Sequence, residues 1–212
     1  MYDWAKNKIV ATASGGEAKI MDLEWSPSAS SFTAVGLGSG GAKGTTVKFW
    51  SVLGNDLVGK KAAYAGRGSV QPMLSICYGG SGDIVLTGGA GGAIHEWGNG
   101  NKLLRVVPAH KGAVLTLVRG PSATYSGGED GRVKMWDAKL ALLKTFEIPG
   151  GAHTVPPPIC GLALPSQGAA AGAHGGDHLL VATRRAEVFK MQKDGRCQVC
   201  SGATRVPLIV DR

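Results

Sequence analysis

Long hydrophobic runs are missing from this sequence. No window approaches the roughly 18 consecutive apolar residues of a membrane-crossing helix, so no such helix and no membrane partner are expected. The opening residues Met1-Tyr2-Asp3-Trp4 lack the basic and then apolar blocks of a secretory signal. Cysteine is scarce: 4 in 212 residues are too few for a disulfide scaffold, and a reducing compartment is the default reading. Aromatics make up only 6% of the chain, and no segment reads as a long amphipathic helix. Glycine is abundant, at 34 residues, but shows no three-residue period, which excludes a collagen-like rod. Hydrophobic residues reach 43%, enough for a sizeable core and against wholesale disorder. The net charge of +8 permits an acidic partner without choosing one.

What is present is a repeat. Trp50, Trp97 and Trp136 each close a short β-branched or apolar run, and Trp4 reads as the tail of an earlier one. The successive intervals are 46, 47 and 39 residues, and a fourth run, Ala186 to Met191, carries Phe189 at the place expected for the aromatic. Between these runs lie further candidate strands divided by Gly, Ser and Asn turns. Four short strands per period of about 40–45 residues are the pattern of β-propeller blades. The expectation is an all-β, WD40-type β-propeller of about four blades, forming part of a larger seven-bladed or tandem propeller. The boundaries read as the end of a preceding blade at 1–17, blades at 18–66, 67–109, 110–151 and 152–200, and the start of a next blade or a tail at 201–212. A Gly/Ala-rich insertion is expected near 168–176.

The run Ser126-Gly-Gly-Glu-Asp130-Gly-Arg-Val-Lys-Met-Trp136-Asp137 resembles the WD40 consensus, with His110 ahead of the first strand. These residue types can form a buried polar chain. The Trp136 indole donates to the Ser126 hydroxyl, the hydroxyl to one nitrogen of His110, and the other nitrogen to Asp130. A structural role is therefore expected for His110, Ser126, Asp130 and Trp136. Ser, His and Asp are also the types of a nucleophilic triad, but the spacing already has a structural explanation, and no catalytic residue is assigned. In the neighbouring blade Gly91 stands at the Asp position, and no His opens the first strand.

The series Tyr2-Asp-Trp-Ala-Lys, Ile20-Met-Asp-Leu-Glu-Trp-Ser-Pro27, Val47-Lys-Phe-Trp50, Ile94-His-Glu-Trp97, Ala109-His-Lys-Gly-Ala-Val114 and Leu179-Leu-Val-Ala-Thr-Arg-Arg185 is similar, in order and spacing, to the first propeller of the echinoderm microtubule-associated protein-like family. The resemblance covers most of the chain. It implies a non-enzymatic structural protein of the cytoplasm and cytoskeleton, extending to the ciliary axoneme. Its implied partners are tubulin or microtubules and other cytoskeletal or axonemal proteins, within a large assembly. It also implies an N-terminal coiled coil, a basic linker and a hydrophobic motif that these residues do not contain, so the chain reads as a piece of a longer one. The alternative is a WD-repeat scaffold in another assembly, such as a ubiquitin-ligase receptor or a trafficking complex.

For partner binding, one propeller rim carries Lys43, Arg67, Lys111, Arg184 and Arg185 against Glu17 and Glu129, with Asp130 internal. The opposite rim is close to neutral. A mildly basic rim suits an acidic surface such as tubulin. Nucleic acid is disfavoured, since no basic run is interleaved with exposed aromatics. No cofactor or metal is assigned. Cys197 and Cys200 with His174 and His178 have a writable zinc spacing, but the cysteines point to opposite faces of a strand. The stretch Gly36 to Gly44 enters a strand where a phosphate loop would enter a helix. Cys77 and Cys160 are expected to be core-strand thiols.

Overall fold

The computed structural model describes residues 1–13, 19–38, 47–64, 66, 69–79, 84–98, 100–149, 155–165, 178–192 and 194–201. The chain divides into two compact units, Met1–Pro108 and Ala109–Arg212. Every regular element among the described residues is a strand. The expected insertion at 168–176 lies outside the described residues.

The first unit opens on a two-stranded hairpin, β1 (Tyr2–Asp3) with β2 (Lys8–Ile9). Two four-stranded antiparallel sheets follow. The first contains β3 (Lys19–Trp25), β4 (Ser31–Leu37), β5 (Val47–Leu53) and β6 (Asp56–Lys61), paired in chain order. The second contains β7 (Met73–Tyr78), β8 (Val85–Gly89), β9 (Ala93–Gly98) and β10 (Lys102–Pro108), again in chain order. The second unit repeats the plan twice. Strands β11 (Val114–Arg119), β12 (Thr124–Gly128), β13 (Arg132–Trp136) and β14 (Leu142–Glu147) form one sheet. Strands β15 (Ile159–Ala163), β16 (His178–Thr183), β17 (Val188–Gln192) and β18 (Cys197–Ser201) form the other. Sheets of four antiparallel strands in meander order are WD40-type blades.

Each blade carries the same irregularity. The first strand slips register against the second at Ile20/Asp22, Met73/Ser75, Val114/Thr116 and Ile159/Gly161. An extra residue there bends the inner strand and increases its twist. The shared bulge also sets the four blades in register, so equivalent positions can be compared.

Blades within a unit join through apolar faces. In the first unit Val35 and Val47 of one blade meet Met73, Ile76, Tyr78, Val85 and Trp97 of the next. In the second, Val133 and Phe146 meet Ile159, Val181, Phe189 and Met191. Close approach needs small residues: a Cβ on Gly127 would lie 2.6 Å from Ile159 Cγ2 and 2.7 Å from Thr116 Cγ2. The first unit adds a backbone tie. Ala63 bridges to Lys102, and Leu103 N–H donates to Ala63 O at 2.9 Å, which covers part of the outer edge of β10.

Two sequence expectations need correction. Phe189 does not take the place of the blade tryptophan. Gly92, Gly131 and Ala186 each donate N–H to the carbonyl three residues earlier in the turn before the third strand. Counting from these, Met191 stands where Trp97 and Trp136 stand, and Phe189 takes the place of Lys134. Both side chains are apolar and buried, so the blade keeps its core and loses the indole donor. Cys160 is exposed whereas Cys77 is buried. The bulge at Ile159/Gly161 turns Cys160 outward, and its thiol donates weakly to Ala182 O at 3.5 Å.

Candidate functional site

The polar chain of the third blade is assembled from a link, two strands and a turn. His110 precedes β11, Ser126 lies in β12, Trp136 ends β13, and Asp130 sits in the turn between the last two. Trp136 Nε1–H donates to Ser126 Oγ at 2.8 Å. Ser126 Oγ lies 2.8 Å from His110 Nε2, and His110 Nδ1 lies 2.9 Å from Asp130 Oδ1. With the indole as an obligate donor, one arrangement satisfies every atom: the hydroxyl donates to Nε2, and Nδ1–H donates to the carboxylate. Asp130 also accepts Lys111 N–H at 3.0 Å on Oδ2 and Arg132 N–H at 3.2 Å on Oδ1. One carboxylate thereby fixes the link and the turn, and the chain ties both to β12 and β13.

The charges follow from burial. Burial lowers the His110 imidazole below its ordinary value, and the Asp130 hydrogen bond and charge only partly oppose this. The contact is a hydrogen bond from a neutral ring. Burial alone would raise Asp130, but the N–H of Lys111, the His110 ring and the N–H of Arg132 outweigh it and hold the carboxyl low. Both shifts have the same consequence for stability. A depressed histidine contributes stability above its unfolded pKa of 6.5 and loses it as the pH falls below that value. A depressed aspartate loses its contribution as the pH falls from 3.8 through its lower folded value. The second unit is therefore expected to lose stability in two stages on acidification, the first below pH 6.5. His110→Gln, which keeps hydrogen-bonding atoms without titrating, should remove the first stage. Urea unfolding between pH 7.5 and 5 measures it, and an unchanged pH slope in the variant would contradict this account.

The second blade solves the same problem with other residues. Trp97 Nε1–H donates to Thr87 Oγ1 at 2.9 Å, with threonine in place of serine. Gln71 stands in for the absent link histidine: its Oε1 accepts Gly91 N–H at 2.6 Å, and its Nε2 lies 3.4 Å from His95 Nε2. The amide replaces an imidazole–carboxylate pair, which explains why Gly91 can occupy the Asp position. Sequence reasoning missed Gln71, although a lone amide two residues before a strand-opening Met73 was a readable signal. The same unit also holds a cleft of about 500 Å³. Thr33, Phe49, Tyr78 and Trp97 help line it, and no side chain among its described lining residues is charged.

Of the basic rim residues, Lys43 and Arg67 lie outside the described residues. The other three are exposed in the second unit, at the end of the blades that carries the links and the second-to-third-strand turns. Lys111 follows His110. Arg184 and Arg185 form the β16–β17 turn, where Arg184 N–H donates to Pro158 O at 3.0 Å and the Arg185 guanidinium donates to Val155 O at 3.2 Å. The turn is thus pinned to the proline link while the cationic groups stay in solvent. Glu129 lies at the same end, its carboxylate accepting Ala113 N–H at 3.1 Å.

Metal ligation finds no support among the described residues, where no three His, Cys, Asp or Glu side chains cluster. Cys197 packs against the core and Cys200 is exposed. His174 lies outside the described residues.

Comparison with known proteins agrees with this geometry. The family model described as WD domain, G-beta repeat, matches residues 101–137. Among curated proteins, the chain is 27% identical over 153 residues to the 77 kDa echinoderm microtubule-associated protein of Lytechinus variegatus, covering 70% of this chain and 22% of that protein. It is 26% identical over 170 residues to echinoderm microtubule-associated protein-like 4 of Mus musculus, covering 73% and 16%. Against echinoderm microtubule-associated protein-like 2 of Homo sapiens it is 27% identical over 154 residues, covering 70% and 22%. The chain therefore spans about a fifth of the length of these relatives. Among solved structures it is similar to the RRP9 WD40 repeats, with a TM-score of 0.67 at 19% identity over 88% of this chain and 52% of that one. It is similar also to the WD40 β-propeller domain of Doa1, with a TM-score of 0.63 at 19% identity over 89% and 55%. These two likenesses speak to the fold. The chain thus has the WD40-type propeller fold, matches the WD domain, G-beta repeat model over residues 101–137, and is similar to the echinoderm microtubule-associated proteins over about 70% of its length.

Proposed function

We propose that this chain is a non-enzymatic propeller segment of a microtubule-associated protein, docking on the acidic surface of tubulin through the blade ends that carry Lys111, Arg184 and Arg185. The kinship with echinoderm microtubule-associated proteins carries the reading. Charge supports it: three exposed cations gather at one end of the second unit, where loops are held by backbone hydrogen bonds and lose little freedom on binding. A structural role for His110, Ser126, Asp130 and Trp136 accords with burial. Ser126 has no exposure, and its oxygen is engaged by an indole on one side and an imidazole on the other, so a substrate has no approach to it. The working location is the cytoplasmic cytoskeleton, and the ciliary axoneme is the specific lattice to examine, with other axonemal proteins as neighbours.

Co-sedimentation with polymerised tubulin tests the reading. Binding should weaken as ionic strength rises, because charges beyond a Debye length of about 8 Å are screened at physiological salt. Reversing two exposed charges, Arg184→Glu with Arg185→Glu, should weaken binding about tenfold at low salt. Sedimentation that ignores both the charge reversal and the salt would remove the rim from the interface. Absence of binding by the full-length parent protein would sink the microtubule reading itself.

A further inference from the structure

The inner strand of the first blade carries two carboxylates where the other blades carry none. By the shared bulge, Asp22 is equivalent to Ser75, Thr116 and Gly161, and Glu24 to Cys77, Val118 and Ala163. Both are half-buried and face β7. Ile76 N–H donates to Asp22 Oδ2 and Tyr78 N–H to Glu24 Oε2, each at 3.1 Å. These two amides lie on the edge of β7 that β8 does not pair, so the side chains of one blade take the place of ladder partners for the next. Beside them, Thr33 Oγ1 and the Tyr78 hydroxyl lie 2.8 Å apart, a second polar tie between the same blades.

We propose that Glu24, with Asp22, is a proton-operated latch between the two blades of the first unit, holding the inner edge of β7 when neutral and loosening it when ionised. Among the described residues, the strands packed against it supply no cation. β4 has no ionisable side chain, and β7 contributes only the Cys77 thiol and the Tyr78 phenol. Along β3 itself stand Asp22, a like charge two residues away, and Lys19 at the far end. Burial, the largest influence, pushes Glu24 up from 4.5 to about 7, Asp22 adding to the rise and the Tyr78 N–H opposing it. Burial raises Asp22 as well. The sign follows. A carboxyl whose folded pKa is raised contributes stability below its unfolded value and loses it as the pH rises through the folded one. Between an open-state value of 4.5 and a latched value of about 7, the closed form should weaken about tenfold from pH 6 to pH 8.

Amide hydrogen exchange of the full chain, corrected for intrinsic rates, reads this directly on residues 73–78. The expected result is protection that falls about tenfold between pH 6 and pH 8, and a Glu24→Gln variant whose protection stays level. Unchanged protection in the parent chain, or a fall that persists in the variant, would overturn the latch. Should the variant not fold, carboxyl-carbon NMR of Glu24 in the parent chain decides: a midpoint near 7 supports the latch, and one at the ordinary 4.5 refutes it.

Discussion

Trp97→Ala is expected to cost the first unit about 3–5 kcal/mol, the range for removing a large buried aromatic. The side chain has no exposure. Its ring meets Tyr64 edge-on at 5.1 Å between centroids, Phe49 at 6.1 Å and His95 in a stack at 6.2 Å. Two of these partners belong to the preceding blade and its link, so the indole is the joint between blades as well as the centre of its own. Its N–H also satisfies Thr87, whose hydroxyl donates onward to the Met73 sulfur at 3.5 Å. Alanine would leave a cavity that strands held in a four-stranded sheet cannot collapse to fill, and it would strip the Thr87 oxygen of its donor. Trp97→Phe should cost less, because it keeps much of the ring contact and forfeits chiefly the hydrogen bond. Urea unfolding followed by far-UV circular dichroism measures both. A loss below about 1 kcal/mol for the alanine variant would mean that the blades re-pack without their joint.

The second large effect is expected at a residue with no side chain. Gly128 ends β12 in full burial, beneath the His110 ring. A methyl group there would fall on His110 Nδ1 and Cγ and lie 2.7 Å from Asp130 Oδ1. The ring cannot yield without breaking its bonds to Ser126 and Asp130. Gly128→Ala should therefore combine overpacking with a severed buried polar chain and cost about 3 kcal/mol or more. Gly161→Ala is the matched control. It also lies in a strand, half-buried, but its added methyl would meet only Ala182 Cβ, at an ordinary 3.4 Å, so it should cost less than about 1 kcal/mol. Comparable losses at the two positions would show that the Gly128 effect is a general strand penalty and not a consequence of the network.

Much of the fold was legible because its causes are local. Tryptophans at near-regular intervals, β-branched runs and Gly turns specify strands and hairpins within a blade, and a hairpin needs only the residues it contains. His110, Ser126, Asp130 and Trp136 were readable for a related reason: donor and acceptor types at repeat spacing have one mutually satisfying arrangement, and the contacts between them lie at 2.8–2.9 Å.

The residues that escaped the sequence act across a break in that locality. Gln71 replaces a histidine with a different chemical group, so a search by residue type passes over it. Met191 takes the tryptophan position because register is counted from the Ala186 turn, and Phe189, though aromatic, sits two residues too early. Cys160 faces out because a bulge, invisible in the alternation of side chains, shifts the phase of β15. Asp22 and Glu24 gain their partners only once β7 is placed against them. Strand identity and the blade repeat were thus determined by the sequence alone, through short-range propensity and turn chemistry. Which atoms of one blade meet which of the next was decided only by the tertiary structure, because the bulges and turns set the phase of each strand, and a shift of one residue reverses the face on which every later side chain is presented.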